Sequence, residues 1–136
     1  MSKEIANILV DIKSINFSFD KYFTLTSGLA SPVYVDCRKI ISFIKERNFI
    51  IDKAIDYLIK NNIDTEIIAG GETAGIQYAA FISQKLDKQL IYIRKKTKGF
   101  GKNKQIEGEF ENNQKALLVE DLATDGGSKI IFINAM

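Results

Sequence analysis

The sequence predicts an α/β fold, an open parallel sheet flanked by helices with a small N-terminal hood over residues 1–40, and three observations carry that reading. The apolar segments Ile67-Ile68-Ala69, Leu90 to Ile93 and Ala116 to Val119 are short and bounded by turn residues, as strands buried in a parallel sheet are. Between the first two, Ala74 to Leu86 places Ile76, Ala79, Ala80 and Ile82 on one side of a helix. The resulting order of strand, helix, strand, loop, strand and helix calls for right-handed crossovers between parallel strands. With 136 residues and 46% hydrophobic content, the chain is read as one domain, 1–136, with a substantial core.

Taken in order, Glu4 to Ile15 keeps Ile5, Ile8, Leu9, Ile12 and Ile15 at helical spacing, with Ser2 as N-cap. Phe17, Phe19, Tyr22 and Phe23 form an aromatic cluster suited to core or lid packing. Phe23 to Gly28 then leads through a turn into a strand from Ser31 to Asp36, with Pro32 near its start, where a missing N–H is tolerated. The pair makes a small β unit outside the main sheet. A second helix runs from Ser42 to Asn62, marked by Ile50, Ala54, Leu58 and Ile59 and closed by Asn61-Asn62. The Ile67-Ile68-Ala69 strand turns at Gly70-Gly71-Glu72-Thr73, and Lys95 to Gly108 is a long polar loop before the Ala116 to Val119 strand. That last strand is expected to be buried on both faces.

Ligands of open α/β sheets bind beyond the carboxyl ends of the strands. Gly70-Gly71, Arg94-Lys95 and Glu120-Asp121 are thereby placed on one rim, although they are far apart in sequence. After Glu120 and Asp121, the segment Thr124 to Ser128 supplies small residues whose backbone N–H groups can converge on an anion. Gly126 and Gly127 allow the positive φ of such a cradle, and a helix start adds its dipole. Acid pair and anion loop together fit a sugar phosphate, since carboxylates accept hydrogen bonds from hydroxyls while the loop holds the phosphate.

Cys37 is the only cysteine, read as a small buried residue, and there is no histidine. This excludes an internal disulfide, Cys/His zinc sites and histidine-based catalytic triads. No apolar run reaches the length of a membrane span and no leader pattern is present, so a cytoplasmic protein without membrane attachment is expected. The net charge of +2 is unevenly spread: six of the nineteen basic residues, Arg94, Lys95, Lys96, Lys98, Lys102 and Lys104, lie in one segment. A solvated loop is the plainer alternative, and a nucleic-acid patch is disfavoured because no aromatic residue other than Phe100 alternates with the lysines. Beside a phosphate cradle, such cations would stabilise charge building on a leaving group, and Gly99 and Gly101 would let the loop close.

The order of apolar strand, Glu120-Asp121 and Gly-rich loop resembles the phosphoribosyl-pyrophosphate (PRPP) signature of type I phosphoribosyltransferases. Phe23-Thr24-Leu25-Thr26-Ser27-Gly28, Ser31-Pro32-Val33-Tyr34, Gly70 to Ile76 and Arg94 to Gly101 follow in turn, and from near Phe17 onward the chain is similar to the orotate phosphoribosyltransferase family. The resemblance implies transfer of phosphoribose from PRPP to orotate, giving orotidine monophosphate and pyrophosphate. It implies PRPP binding by Arg94, Lys95, Lys98, Phe100, Glu120, Asp121, Leu122, Ala123, Thr124, Asp125, Gly126, Gly127 and Ser128. Lys98 and Lys95 are the implied catalytic residues, Thr124 and Tyr34 the implied orotate contacts. Mg²⁺ is implied as a cofactor carried by PRPP rather than held by a protein metal site, and the family's shared-site homodimer is the implied assembly.

The chain departs from that family at Phe100, where histidine is frequent, and at Thr26 and Ala74, where many relatives carry lysine. The family also continues beyond the position of Met136 through further strands and helices that include an orotate-binding arginine. On that comparison the last strands are missing, and a marginally stable or self-associating chain with weak PRPP binding and no appreciable turnover is the expectation. Two alternatives keep the fold: an inactive PRPP-binding remnant or regulatory module, and a purine phosphoribosyltransferase. A dinucleotide or P-loop fold is disfavoured by the absence of both glycine signatures.

Overall fold

The computed structural model describes residues 2–25, 27–97, 99, 104–124 and 126–136; the expectations for Thr26, Lys98, Phe100 and Asp125 lie outside the described residues. The chain divides into two compact units, Met1–Lys53 and Ala54–Met136.

In the first unit, α1 (Ser2–Asp11) is followed by β1 (Ile15–Phe17), which pairs antiparallel with β4 (Val33–Val35). The helix is thus shorter than the periodicity predicts. Lys13 takes a positive φ of 54° and Ile15 is a strand residue opposite Val35. Ser2 is the first helical residue rather than a cap outside the helix. Between these strands, β2 (Phe23–Thr24) pairs with β3 (Ala30–Ser31). Pro32 separates β3 from β4, so the predicted single strand is two, each pairing with a different partner. The aromatic cluster is not core: Phe17, Phe19 and Tyr22 are exposed, and the Phe23 ring lies tilted against that of Tyr34, with centroids 5.6 Å apart. A 3₁₀ segment, Cys37–Ser42, buries Cys37 and Ile40 and leads to α2 (Ile44–Lys60). Asn62, at φ 50°, ends that helix as expected.

The second unit contains β5 (Ile67–Gly71), α3 (Ala74–Leu86), β6 (Gln89–Ile93), β7 (Ile106–Glu107), β8 (Ala116–Val119) and α4 (Gly127–Ala135). The sheet order is β7-β6-β5-β8, with β5 parallel to both β6 and β8 and β7 antiparallel to β6. β7 lies inside the segment predicted as loop. Its two residues are too few for a periodicity, and its position is fixed by Arg94 N–H donating to Gln105 O at 2.9 Å.

Gly70 and Gly71 belong to β5 rather than to a turn, and they explain how helices reach both faces of its end. A methyl group on Gly70 would lie 2.7 Å from the Ile76 Cα of α3. One on Gly71, pointing to the opposite face, would collide with the Phe132 ring of α4. On that second face Ile67, Ala69, Ile91, Ile93 and Phe132 form the core. Phe132 is fully buried, a contribution of about 2–3 kcal/mol. Ile130, Ile131 and Ile133 on the same helix stay exposed, so α4 is anchored by one face of an otherwise apolar surface. β8, expected to be buried on both faces, is half-buried throughout because it forms the margin of the described sheet.

Candidate functional site

The parallel register brings three strand ends level. Gly71 aligns with Ile93 across one ladder and Gly70 with Val119 across the other. The next residue of each strand, Glu72, Arg94 and Glu120, therefore emerges at the same rim. This is the juxtaposition that the predicted sheet topology implied for Gly70-Gly71, Arg94-Lys95 and Glu120-Asp121.

Arg94 is the most extensively held of these groups. Its Nε donates to Glu107 Oε1 at 3.1 Å, its Nη2 donates to the Tyr92 hydroxyl at 3.0 Å, and its Nη1 lies 3.6 Å from Glu72 Oε1. The guanidinium carbon sits 5.4 Å from the Tyr92 ring centroid. The hydrogen bond to Glu107 raises the Arg94 pKa above its ordinary value, against desolvation and with help from Tyr92. The Arg94 N–H donates to Gln105 O and the Gln105 side-chain amide donates to Arg94 O, each at 2.9 Å, which ties this rim position to β7. Glu72 then reaches the neighbouring residue: Lys95 N–H donates to Glu72 Oε2 at 2.9 Å, while the Lys95 side chain is exposed.

On the other side of β5, Glu120 is pinned rather than open. Its Oε2 lies 2.9 Å from Lys129 Nζ, and its side chain is only 14% exposed. The carboxylate fits there because Gly71 and Gly75 have no side chains. A methyl group on Gly75 would come 2.7 Å from Glu120 Oε1, and one on Gly71 would come 2.8 Å from Glu120 Cδ. Lys129 Nζ also donates to Leu122 O, so one ammonium holds both the acid and the loop that follows it.

Of the loop, Leu122, Ala123 and Thr124 are exposed, while Gly126 adopts a left-handed φ of 80° and is the N-cap of α4. Gly127 and Ser128 are already the first two helical residues, so of the two glycines only Gly126 supplies the positive φ. Tyr34 lies in the first unit, where its hydroxyl accepts from Arg38 Nη2 at 3.0 Å. A cavity of about 100 Å³ in the second unit is lined by Ile67, Ile91, Ile106, Phe110, Ala116 and Met136. It includes the first residues of β5 and β8, away from the rim.

Sequence reasoning missed Glu72, Glu107 and Lys129 as participants. For Lys129 a signal was present: a cation in the first turn of a helix opposes the dipole, which points to a nearby acid. For Glu107 there was none, because its approach depends on a strand of two residues.

No family model matches the chain. It is 44% identical to the orotate phosphoribosyltransferase of Rhizobium rhizogenes over 138 aligned residues, covering all of this chain and 60% of that protein. It is 46% identical to that of Ruegeria sp. over 133, covering 96% of this chain and 59% of the relative. Among solved structures, Leishmania donovani UMP synthase superposes with a TM-score of 0.82 at 28% identity, over 98% of this chain and 28% of that one. The Aeropyrum pernix orotate phosphoribosyltransferase gives a TM-score of 0.77 at 23% identity over 96% of this chain and 71% of the other, a likeness of fold. The chain thus spans about three fifths of the length of the curated relatives it matches. Over the stretch it spans, the chain is similar in sequence and in fold to orotate phosphoribosyltransferases.

Proposed function

We propose that this chain carries the PRPP site of an enzyme that transfers phosphoribose to orotate. The observation that supports this most directly is the register of β5, β6 and β8, which sets cations and carboxylates at one rim in the order a sugar phosphate with a pyrophosphate leaving group requires. In this reading Asp121 and Glu120 face the ribose hydroxyls, and the segment from Leu122 through Asp125 and Gly126 to Ser128 receives the 5′-phosphate. Arg94 and Lys95 meet the pyrophosphate together with Lys98 and Phe100 of the following loop. Thr124 and Tyr34 contact orotate.

The ring nitrogen of orotate attacks C1 of the ribose as the bond from C1 to the pyrophosphate oxygen breaks, giving orotidine monophosphate and pyrophosphate. Negative charge accumulates on the departing oxygens, so Lys98 and Lys95 act by stabilising that charge, and no covalent protein nucleophile is needed. Among the described residues no cluster of three or more acidic, cysteine or histidine ligands is present to hold a metal. In this reading Mg²⁺ would enter with the substrate, carried on PRPP oxygens. A homodimer in the cytoplasm completes the proposal; no helix of the described residues is long and apolar enough to cross a membrane.

Calorimetric titration with Mg²⁺–PRPP tests the assignment. Saturable binding by the chain, weakened by Asp121→Ala in a folded variant, is expected. Binding that is absent, or indifferent to Asp121, would reject it.

A further inference from the structure

The rim between β5 and β6 holds a carboxylate where an anion would be received. The Lys95 N–H points to Glu72 Oε2 at 2.9 Å, and the Arg94 guanidinium comes within 3.6 Å of Glu72 Oε1. A backbone N–H and an arginine converging on two oxygens is the donor set that binds a phosphoryl group. Here the protein's own side chain fills it. Glu72 itself is placed by the sheet, since its N–H donates to Ile93 O at 2.9 Å, continuing the β5–β6 ladder by one residue. Glu107 holds Arg94 from the other side, through Nε, and leaves Nη1 directed toward Glu72.

From this arrangement we infer that Glu72 is an internal competitor for the leaving-group subsite, occupying the Lys95 N–H and Arg94 donors until a polyanion displaces it. The inference rests on the PRPP reading for the identity of that polyanion. Two consequences follow from electrostatics. A displaced Glu72 remains next to its successor, so the site discriminates against bare polyanions through like-charge repulsion. Mg²⁺ on the incoming pyrophosphate lowers its net charge and with it the repulsion, so Glu72 makes binding depend on the metal although it is not itself a metal ligand. The residue is thus a specificity element, selecting metal-complexed over free pyrophosphate. The side chain is 30% exposed, which leaves it room to swing toward solvent when displaced.

The test uses the whole chain and inorganic pyrophosphate as probe, with affinity read by calorimetry. Glu72→Gln removes the charge and keeps the shape. It should bind metal-free pyrophosphate about tenfold more tightly than the parent, roughly 1.4 kcal/mol. It should also gain much less than the parent when Mg²⁺ is added. Adding Arg94→Met to Glu72→Gln should abolish the gain, while Glu107→Gln alone should give a smaller one. Unchanged or weaker binding by Glu72→Gln, or an equal Mg²⁺ effect in both proteins, would overturn the inference and make Glu72 a simple brace for Arg94. No pyrophosphate binding by either protein would overturn it as well. PRPP titrations of the parent and Asp121→Ala report separately on the PRPP reading: retained PRPP binding with no Glu72 effect sinks only the competitor, and lost PRPP binding sinks the reading beneath it.

Discussion

Lys129 Nζ and Glu120 Oε2 are 2.9 Å apart, and the same ammonium donates to the carbonyl of Leu122. A lysine in the first turn of α4 opposes the helix dipole, an effect of about 0.3–1 kcal/mol, so the acid at the end of β8 offsets what the helix disfavours. The pair also fixes the separation between strand end and helix start, the two elements that frame the candidate phosphate loop.

Removing the ammonium leaves Glu120 largely buried beside Gly71 and Gly75 without its counter-charge. Lys129→Met should destabilise the chain by about 2 kcal/mol, below the range for fully buried pairs because water still reaches both groups. Lys129→Arg should recover much of this. Urea midpoints at constant slope measure the effect, and a midpoint unchanged in Lys129→Met would show that the pair contributes nothing.

Phe132 joins α4 to the sheet, and its neighbours Ile130 and Ile133 cannot replace it because they face outward. Phe132→Ala should lose about 3–5 kcal/mol, the usual range for a fully buried aromatic ring. Ile130→Ala should change stability by less than about 1 kcal/mol. Equal losses in the two variants would mean that α4 is seated differently.

Gly75 lies where a methyl group would come 2.7 Å from Glu120 Oε1 and also strike the Val119 carbonyl. Helix propensity alone favours Gly75→Ala, but overpacking against backbone should make it destabilising by about 1–3 kcal/mol. A stabilised Gly75→Ala protein in thermal melts would contradict the close approach of α3 to β8.

Arg94 has its pKa raised, chiefly by Glu107, so its contribution to stability is fully present below the unfolded-state value and is lost only as pH rises through the still higher folded-state value. The difference in unfolding free energy between the parent and Arg94→Met should therefore stay constant from pH 7 to about pH 10. A steady decline over that window would show that the guanidinium is not the group responsible.

Lys98 lies outside the described residues, and the prediction for it is kinetic. A cation that acts on the departing pyrophosphate should, when replaced in Lys98→Ala in a version extended to the relatives' full length, lower kcat far more than PRPP affinity. Parallel losses in both would mark ordinary ground-state binding.

The parts legible in the sequence were those with long or regular patterns. The α3 helix was predicted with its observed bounds, Ala74–Leu86, because four apolar residues repeat at helical spacing; in the structure Asp87 ends it in a left-handed turn. The β8 strand was found from four consecutive apolar residues. The level strand ends followed from topology. What escaped was set by tertiary contact: Ile15 continued the helical spacing of α1 yet pairs with Val35, and β7 is held by the Arg94–Gln105 hydrogen bonds rather than by its own composition. Glu72 sat inside a motif attributed to its glycines, so its carboxylate went unweighed. Burial was overestimated at β8 and in the aromatic run from Phe17, since composition reports what could be covered and not what covers it.

The pocket that holds the Glu120 carboxylate is walled by main chain at Gly71 and Gly75, and this restricts how the site can diverge. Side-chain replacement is the ordinary way in which a binding site acquires a new preference, and here two of the walls offer no side chain to replace without evicting the acid. Diversification is thereby channelled to positions whose side chains are exposed, Lys95 and Thr124 among them. A library varying those residues should yield folded proteins with altered anion preference far more often than one of equal size varying Gly71 and Gly75.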